Sequence, residues 1–309
     1  MITPFRIGTR PSRLAVTQAR AVLEVLRAKW PFLMFDLVPI ATDGDERRGS
    51  AREESEDFKR AFTGKVEDAL VEGRIEAAVH SLKDLPAEGR PGLALGAVPP
   101  REVPNDALVA REGQRLSELG EHALVGTGSL RRTALLREAR PGVSVQPVEG
   151  NVDTRLRKLD AGEFDAIVVA AAGLRRMGLQ SRITELLATD TFVPAIGQGA
   201  LAVQVRADDS FSRDIVRAAD DAASRSAVAA ETALARSLGL GCHVPAGALA
   251  QVRGAAMRMA AMVATADGRR VVRVSVEGPA DDPEGLGRLA ARQLMASEAG
   301  AILERGAWN

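Results

Sequence analysis

Arg6–Ala19 reads RIGTRPSRLAVTQA and Leu124–Arg137 reads LVGTGSLRRTALLR. Each runs from a short apolar strand through Gly-Thr to a serine and arginine, then into a helix with apolar residues at helical spacing. Two such junctions, far apart in the chain, predict two similar α/β domains. Around them short apolar runs alternate with helical patterns. Strands are expected at Phe5–Gly8, Met34–Ile40, Ala77–His80, Ala94–Ala97, Ala107–Ala110, Ala123–Gly126, Val143–Val148 and Ala166–Ala170. Helices are expected at Leu14–Lys29, Lys65–Glu72, Leu130–Ala139, Thr154–Leu159 and Gly173–Met177. This alternation indicates βαβ units and largely parallel sheets. The segment FVPAIGQGALAVQVR (Phe192–Arg206), punctuated by Pro194, Gly197 and Gly199, suits an inter-domain crossing that ends in a strand, Ala200–Val205. A long helix, Ala222–Leu238, follows. Beyond Gly241 the pattern changes to strands at Ala248–Val252, Met257–Thr265 and Arg270–Glu277, the last two joined at Ala-Asp-Gly, with a closing helix over Pro283–Arg305. That predicts a third, α+β domain.

The 309 residues are 46% hydrophobic and 27% charged, enough for packed cores and against disorder. Basic and acidic side chains number 41 each, so no global field attracts nucleic acid or an anionic membrane. Aromatics are 3% with no tyrosine, which disfavours a base-stacking surface. No signal-peptide pattern and no apolar run of membrane-spanning length occur. A single cysteine cannot form an internal disulfide, and the three histidines have no metal-ligand spacing. The expectation is a cytoplasmic protein without a metal, a membrane or a nucleic-acid partner.

Arginines cluster where chemistry is expected. In open α/β sheets, ligands sit at the carboxyl ends of strands, beside helix N-termini. Arg10 with Ser12, then Thr127 and Ser129 with Arg131 and Arg132, Arg155 after GNVDT, and Arg175 with Arg176 after AAAGL all fall at such ends. An arginine fork suits carboxylates and phosphates, so four such junctions point to a polyanionic ligand. AAVHSLKDLP (Ala77–Pro86) ends a strand with Ser81, Lys83 and Asp84. Asp84 there is either a turn residue or a carboxylate that steadies a cationic intermediate. Cys242, in LGLGCHVPAGAL, is either a small buried apolar residue or a working thiol. Its place in a Gly/Pro-punctuated loop favours the thiol.

IGTRPSRLA, AAVHSLKDLP, VGTGSLRR, GNVDTRL, AAGLRRMGL, PAIGQGAL and GCHVPAG occur in the order and spacing of the porphobilinogen deaminase (hydroxymethylbilane synthase) family, from about Arg6 to Gly247. As a set these motifs are highly specific. The resemblance implies an α/β protein with two similar domains of the periplasmic-binding-protein (type II) kind flanking a cleft, plus a smaller α+β C-terminal domain. The implied limits are 1–98 with 198–220, 99–197, and 221–309. It implies a monomer that condenses four porphobilinogen molecules into a linear tetrapyrrole with release of ammonia. The implied cofactor is a dipyrromethane joined by a thioether to the residue matching Cys242. Asp84, aided by Lys83, matches the catalytic position. Ser81, Lys83, Asp84, Thr127, Ser129, Arg131, Arg132 and Gly173 match cofactor-binding positions. Arg10, Ser12, Lys59, Phe62, Arg155, Arg176 and Gln198 match substrate-binding ones.

Two positions depart from the family pattern. Glu149 stands where an arginine is usual, and the charged stretch Glu46–Leu70 lacks the usual glycine pair. They leave open a diverged paralogue with altered substrate or impaired elongation. A non-catalytic anion-binding module is a further alternative.

Overall fold

The first strand, β1 (Phe5–Thr9), buries Phe5 and Ile7 on one face and gives way at Ser12 to helix α1 (Arg13–Lys29). The Ser12 side chain accepts the Ala15 N–H, which satisfies one of the free donors at the helix start. These elements belong to a computed structural model that describes residues 4–43, 57–241 and 244–304. The chain forms two compact units, residues 1–102 with 200–225 and residues 103–199 with 226–309.

The first unit holds β1, β2 (Phe35–Pro39), helix α2 (Asp57–Val71), β3 (Ala77–Ser81) and β4 (Leu93–Ala97). A strand from much later in the chain, β10 (Leu201–Arg206), completes its five-stranded sheet in the order β2-β1-β3-β10-β4. β1, β2 and β3 are parallel, whereas β10 runs antiparallel to both its neighbours. Side-chain alternation along β3 divides the core: Ala77 and Val79 join Leu23 and Leu26 of α1, and Ala78 joins Val66 and Leu70 of α2. Burial on both faces explains why these strands read as nearly continuous apolar runs.

The second unit repeats this plan. β5 (Asp106–Ala110), β6 (Leu124–Gly126), helix α3 (Leu130–Ala139), β7 (Ser144–Gln146), helix α4 (Val152–Asp160), β8 (Ala166–Ala170), the short helix α5 (Ala171–Arg176) and β9 (Glu185–Leu186) form a sheet ordered β7-β6-β8-β5-β9. Here β5 is the antiparallel member. The expectation of largely parallel sheets is therefore refined. Each sheet takes one antiparallel strand beside a chain crossing, β5 just after residue 102 and β10 just after residue 199. The two-residue β9 and the helix α6 (Ser210–Val216) carry too little periodic pattern to be read from sequence, and α2 begins eight residues before the expected Lys65.

The same unit contains helix α7 (Ala222–Ser237), which begins before the crossing at residue 225, and an antiparallel sheet of β11 (Ala246–Arg253), β12 (Ala256–Ala264) and β13 (Val271–Pro279). Helices α8 (Pro283–Met295) and α9 (Glu298–Glu304) cover it. The expected single closing helix breaks at Ala296–Ser297, where the Ser297 hydroxyl donates to the Leu294 carbonyl instead of continuing the turn. Met262 and Ala264 of β12 enter the core beneath α3 and β6, and Arg273 pairs with Glu138 of α3 and donates to the Thr191 carbonyl at 2.8 Å.

Gly247 shows how tightly β11 is seated. A Cβ there would lie 2.6 Å from the Pro194 carbonyl oxygen, 2.8 Å from that of Val193 and 3.0 Å from Cδ of Arg131. Two of these atoms are backbone and cannot swing aside. Gly247→Ala is expected to destabilise the protein by about 1–3 kcal/mol. Urea denaturation measures this, and an unchanged midpoint would refute the close fit.

Candidate functional site

β3 ends at Ser81 and passes into one 3-10 turn, Leu82–Asp84, so Ser81, Lys83 and Asp84 stand together at the carboxyl end of a parallel strand. The Ser81 hydroxyl lies 3.1 Å from the buried Gln18 amide of α1, which fixes the start of the turn. Lys83 and Asp84 are half-buried. On the neighbouring strand end, the Arg10 guanidinium lies 4.5 Å from the centre of the Phe62 ring, a cation–π contact that aligns the fork. Two residues expected to bind substrate are thus brought together. Ser12 serves as the N-cap of α1. The side chain of Lys59 lies outside the described residues, as does Cys242.

Behind this turn is His80, 6% exposed, whose Nε2 has no hydrogen-bond partner among the described residues. Burial chiefly, and then the positive charge of Arg10, push its imidazole down to about 4 against a smaller opposing pull from Gln204. It stays neutral at physiological pH and is a packed neighbour of the turn rather than a base.

In the second unit the turn after β6 places Thr127 and Ser129 at the start of α3. Ser129 accepts the Arg132 N–H as N-cap, and its own N–H donates to the Thr127 hydroxyl at 3.3 Å. Arg131 and Arg132 point into the protein, 4% and 6% exposed. Their partner is Asp106, fully buried at the first position of β5. Because β5 is antiparallel, its beginning lies beside Ala170, the end of β8, and so at the carboxyl edge of the parallel strands. Oδ2 of Asp106 accepts Nη1 of Arg131 at 2.8 Å, and Oδ1 accepts Nε of Arg132 at 2.8 Å and Nε2 of Gln198 at 2.9 Å. Burial pushes the Asp106 carboxyl up, but the two guanidinium charges and the hydrogen bonds from Arg131 and Gln198 outweigh it, holding it well below the usual range. Burial lowers Arg132, with the Asp106 charge opposing. Two cations share one anion here, and Nε of Arg131 is buried with no partner among the described residues.

Sequence reasoning did not single out Asp106. The available signal was an aspartate opening the apolar run DALVA at a strand end already crowded with arginine. The remaining expected residues surround the crossing or the next helix. Gln198, fully buried, also donates to the Pro104 carbonyl at 2.7 Å and accepts from Nη2 of Arg132 at 3.2 Å. Arg176, at the end of α5 with buried Gly173, donates to the Gly199 carbonyl at 2.7 Å. Glu231 of α7 accepts the N–H groups of Gly197 and Ala250 at 2.7 and 2.9 Å. All three residues of the Gly-Gln-Gly turn are therefore held by charged or amide side chains. Arg155 is placed on α4, where its Nε donates to the Gly150 carbonyl at 2.8 Å, and Glu149 is exposed just before it.

Family comparison assigns this arrangement. The description "Porphobilinogen deaminase, dipyromethane cofactor binding domain" fits residues 5–214, and "Porphobilinogen deaminase, C-terminal domain" fits residues 226–296. The chain belongs to the porphobilinogen deaminase family. It is 47% identical to the porphobilinogen deaminase of Desulforudis audaxviator, over 97% of this chain and 96% of that one. With the Roseiflexus castenholzii protein of the same name it shares 43% identity over 98% of this chain and 99% of the relative. Among solved structures, a YaeC-family lipoprotein from Enterococcus faecalis aligns with a TM-score of 0.44 and 15% identity, covering 70% of this chain and 90% of that one.

The residues present fit the cofactor named for this family. A dipyrromethane carries several carboxylates, and the Arg131–Arg132 pair holds one more positive charge than Asp106 neutralises, with a buried donor that has no partner among the described residues. Among the described residues, no group of three His, Cys, Asp or Glu side chains is placed to hold a metal ion. No helix among the described residues is long and apolar enough to cross a membrane.

His80 also makes stability pH-dependent. The unfolded chain protonates this imidazole near 6.5 and the folded chain only near 4, so its contribution is whole above the first value and is lost as pH falls toward the second. At its limit this amounts to roughly 3 kcal/mol. Asp106 stays ionised throughout that window. Urea midpoints at pH 7, 5.5 and 4.5 are expected to fall more steeply in wild type than in His80→Gln. Parallel declines would show that His80 is not the titrating group.

Proposed function

We propose that this chain condenses four porphobilinogen molecules head to tail into hydroxymethylbilane, releasing one ammonia for each, with a dipyrromethane primer attached to Cys242. The observation that carries this reading is the seating of β11 against Arg131. The strand begins four residues after Cys242, and Gly247 within it packs on Arg131 and the 193–194 carbonyls. Gly247, five residues after Cys242 in the chain, is thus seated on a side chain whose donors suit carboxylates.

Each side chain then has a defined task. Arg131 and Arg132, with Thr127, Ser129 and the backbone near Gly173, hold primer carboxylates. Arg10, aligned on Phe62, joins Ser12, Arg155, Arg176 and Gln198 at the substrate carboxylates, with Lys59 the remaining contributor. Loss of ammonia from porphobilinogen leaves an electron-poor carbon beside the pyrrole nitrogen, and the Asp84 carboxylate stabilises the positive charge. As an acid, Asp84 assists the leaving amine, and Lys83 beside it steadies the approaching anionic side chains. When bound, the dipyrromethane supplies the unsubstituted pyrrole position from which the chain starts. Tethering makes each later condensation a reaction within one complex. The family resemblance is the ground for reading a cytoplasmic monomer, and zero net charge supports only the absence of a nucleic-acid partner.

The intact mass of purified protein is expected to exceed the sequence mass by one dipyrromethane, and Cys242→Ser to lack that increment. Asp84→Ala should keep the increment but turn over porphobilinogen at least about a hundredfold more slowly. An unmodified wild-type mass would overturn the primer, and near-normal turnover by Asp84→Ala its assigned role.

Glu149 opposes substrate carboxylates if it faces them. Glu149→Arg is then expected to lower KM by a few-fold with kcat little changed, a loss of uniform repulsion. An unaltered KM would place Glu149 away from the substrate path.

A further inference from the structure

Arginine side chains are long, and two of them side by side repel and stay mobile unless something offsets their charge and sets both planes. In this protein that something is a single carboxylate. One oxygen of Asp106 takes Nη1 of Arg131 at 2.8 Å, and the other takes Nε of Arg132 at 2.8 Å and the Gln198 amide at 2.9 Å. Backbone carbonyls complete the frame, Val193 on Arg131 at 2.8 Å and Val168 on Arg132 at 3.2 Å. Nη2 of Arg132 donates to the Gln198 oxygen at 3.2 Å, closing a ring that reaches the Gly-Gln-Gly turn. What the ring leaves over is one positive charge and the Nε of Arg131, which has no partner among the described residues.

We infer that Asp106 is the positioning residue of the arginine pair: it fixes both guanidinium planes and ties them through Gln198 to the 197–199 turn, so that the surplus charge meets a ligand carboxylate in one orientation. This rests on the reading that the pair holds the dipyrromethane primer. Simple charge balance and positioning predict opposite signs. If Asp106 only neutralised charge, removing it would leave two free cations and strengthen the capture of an anionic ligand. If it positions them, removing it releases two flexible forks, and capture slows despite the added positive charge.

Full-length apo-protein, produced without a supply of porphobilinogen, separates the two when porphobilinogen is added and primer loading is followed by intact mass. Asp106→Asn, nearly isosteric, is expected to load at least about tenfold more slowly, since misplacement of binding groups by an ångström can cost up to about a hundredfold. Asp106→Glu keeps the charge but moves the carboxylate by one methylene, and is expected to load more slowly by a smaller factor. In an Arg131→Met background, where one of the two forks is gone, Asp106→Asn should slow loading by a clearly smaller factor than it does alone. Thermal melts of each variant establish that it is folded. Loading by Asp106→Asn at or above the wild-type rate would overturn the inference; should that variant not fold, wild-type loading by Asp106→Glu would do so. Normal loading by Arg131→Met would instead overturn the assignment of the pair to the primer, and this inference with it. Slow loading by Arg131→Met beside normal loading by Asp106→Asn would overturn the inference alone.

Discussion

Burying a guanidinium costs several kcal/mol unless its charge and its donors are met, and the second unit buries two of them. Asp106 makes that arrangement tolerable. It stands at the one place where β5, the start of α3 and the 193–198 segment converge, and it bonds to side chains from the latter two. Because it is the first residue of an antiparallel strand, its carboxylate is delivered to the edge where the parallel strands end. A parallel strand in the same slot would begin at the opposite edge of the sheet. The direction of β5 is thus a condition for the arginine cluster, and the chain crossing that precedes β5 is a condition for its direction.

The first sheet obeys the same logic with different chemistry. β10 starts beside Ser81, at the end of β3, so the residues leaving the Gly-Gln-Gly turn reach the edge that carries Ser81, Lys83 and Asp84. Each sheet therefore gathers polar groups at the carboxyl ends of its parallel strands, where helix starts supply free N–H donors. The groups differ in accessibility. Lys83 and Asp84 are half-buried, whereas Arg131 and Arg132 are almost wholly enclosed. Under the proposed roles, a carboxylate that meets a succession of substrates needs the former, and groups that hold one primer throughout are served by the latter.

Much of this was legible in the sequence because it rests on local rules. The paired junctions at Gly8-Thr9 and Gly126-Thr127 follow from strand pattern, serine caps and apolar helix periodicity, and the ranges of β8 and α3 match expectation residue for residue. What escaped depends on distant partners. Asp106 lies one residue outside the apolar run used to place its strand, and its meaning comes from Arg131, Arg132 and Gln198, tens of residues away. The antiparallel sense of β5 and β10 leaves no local trace, since a doubly covered strand is apolar in either direction. Cys242, Lys59 and Arg155 could be matched to a family pattern, but no periodicity says what they face.

The dominance of arginine over lysine also bears on the site. Only five of the 41 basic residues are lysine, and overall composition does not account for where the arginines stand. Burial lowers the proton affinity of Arg132, yet a guanidinium begins so high that it remains a cation. A lysine enclosed to the same degree would be driven toward its neutral form, losing both its charge and a donor. It would also offer Asp106 and a ligand carboxylate a point charge in place of a planar fork with separate edges for each. The enclosed pair therefore requires arginine on physical grounds. Lys83, half-buried beside Asp84 in its turn, is not enclosed to that degree.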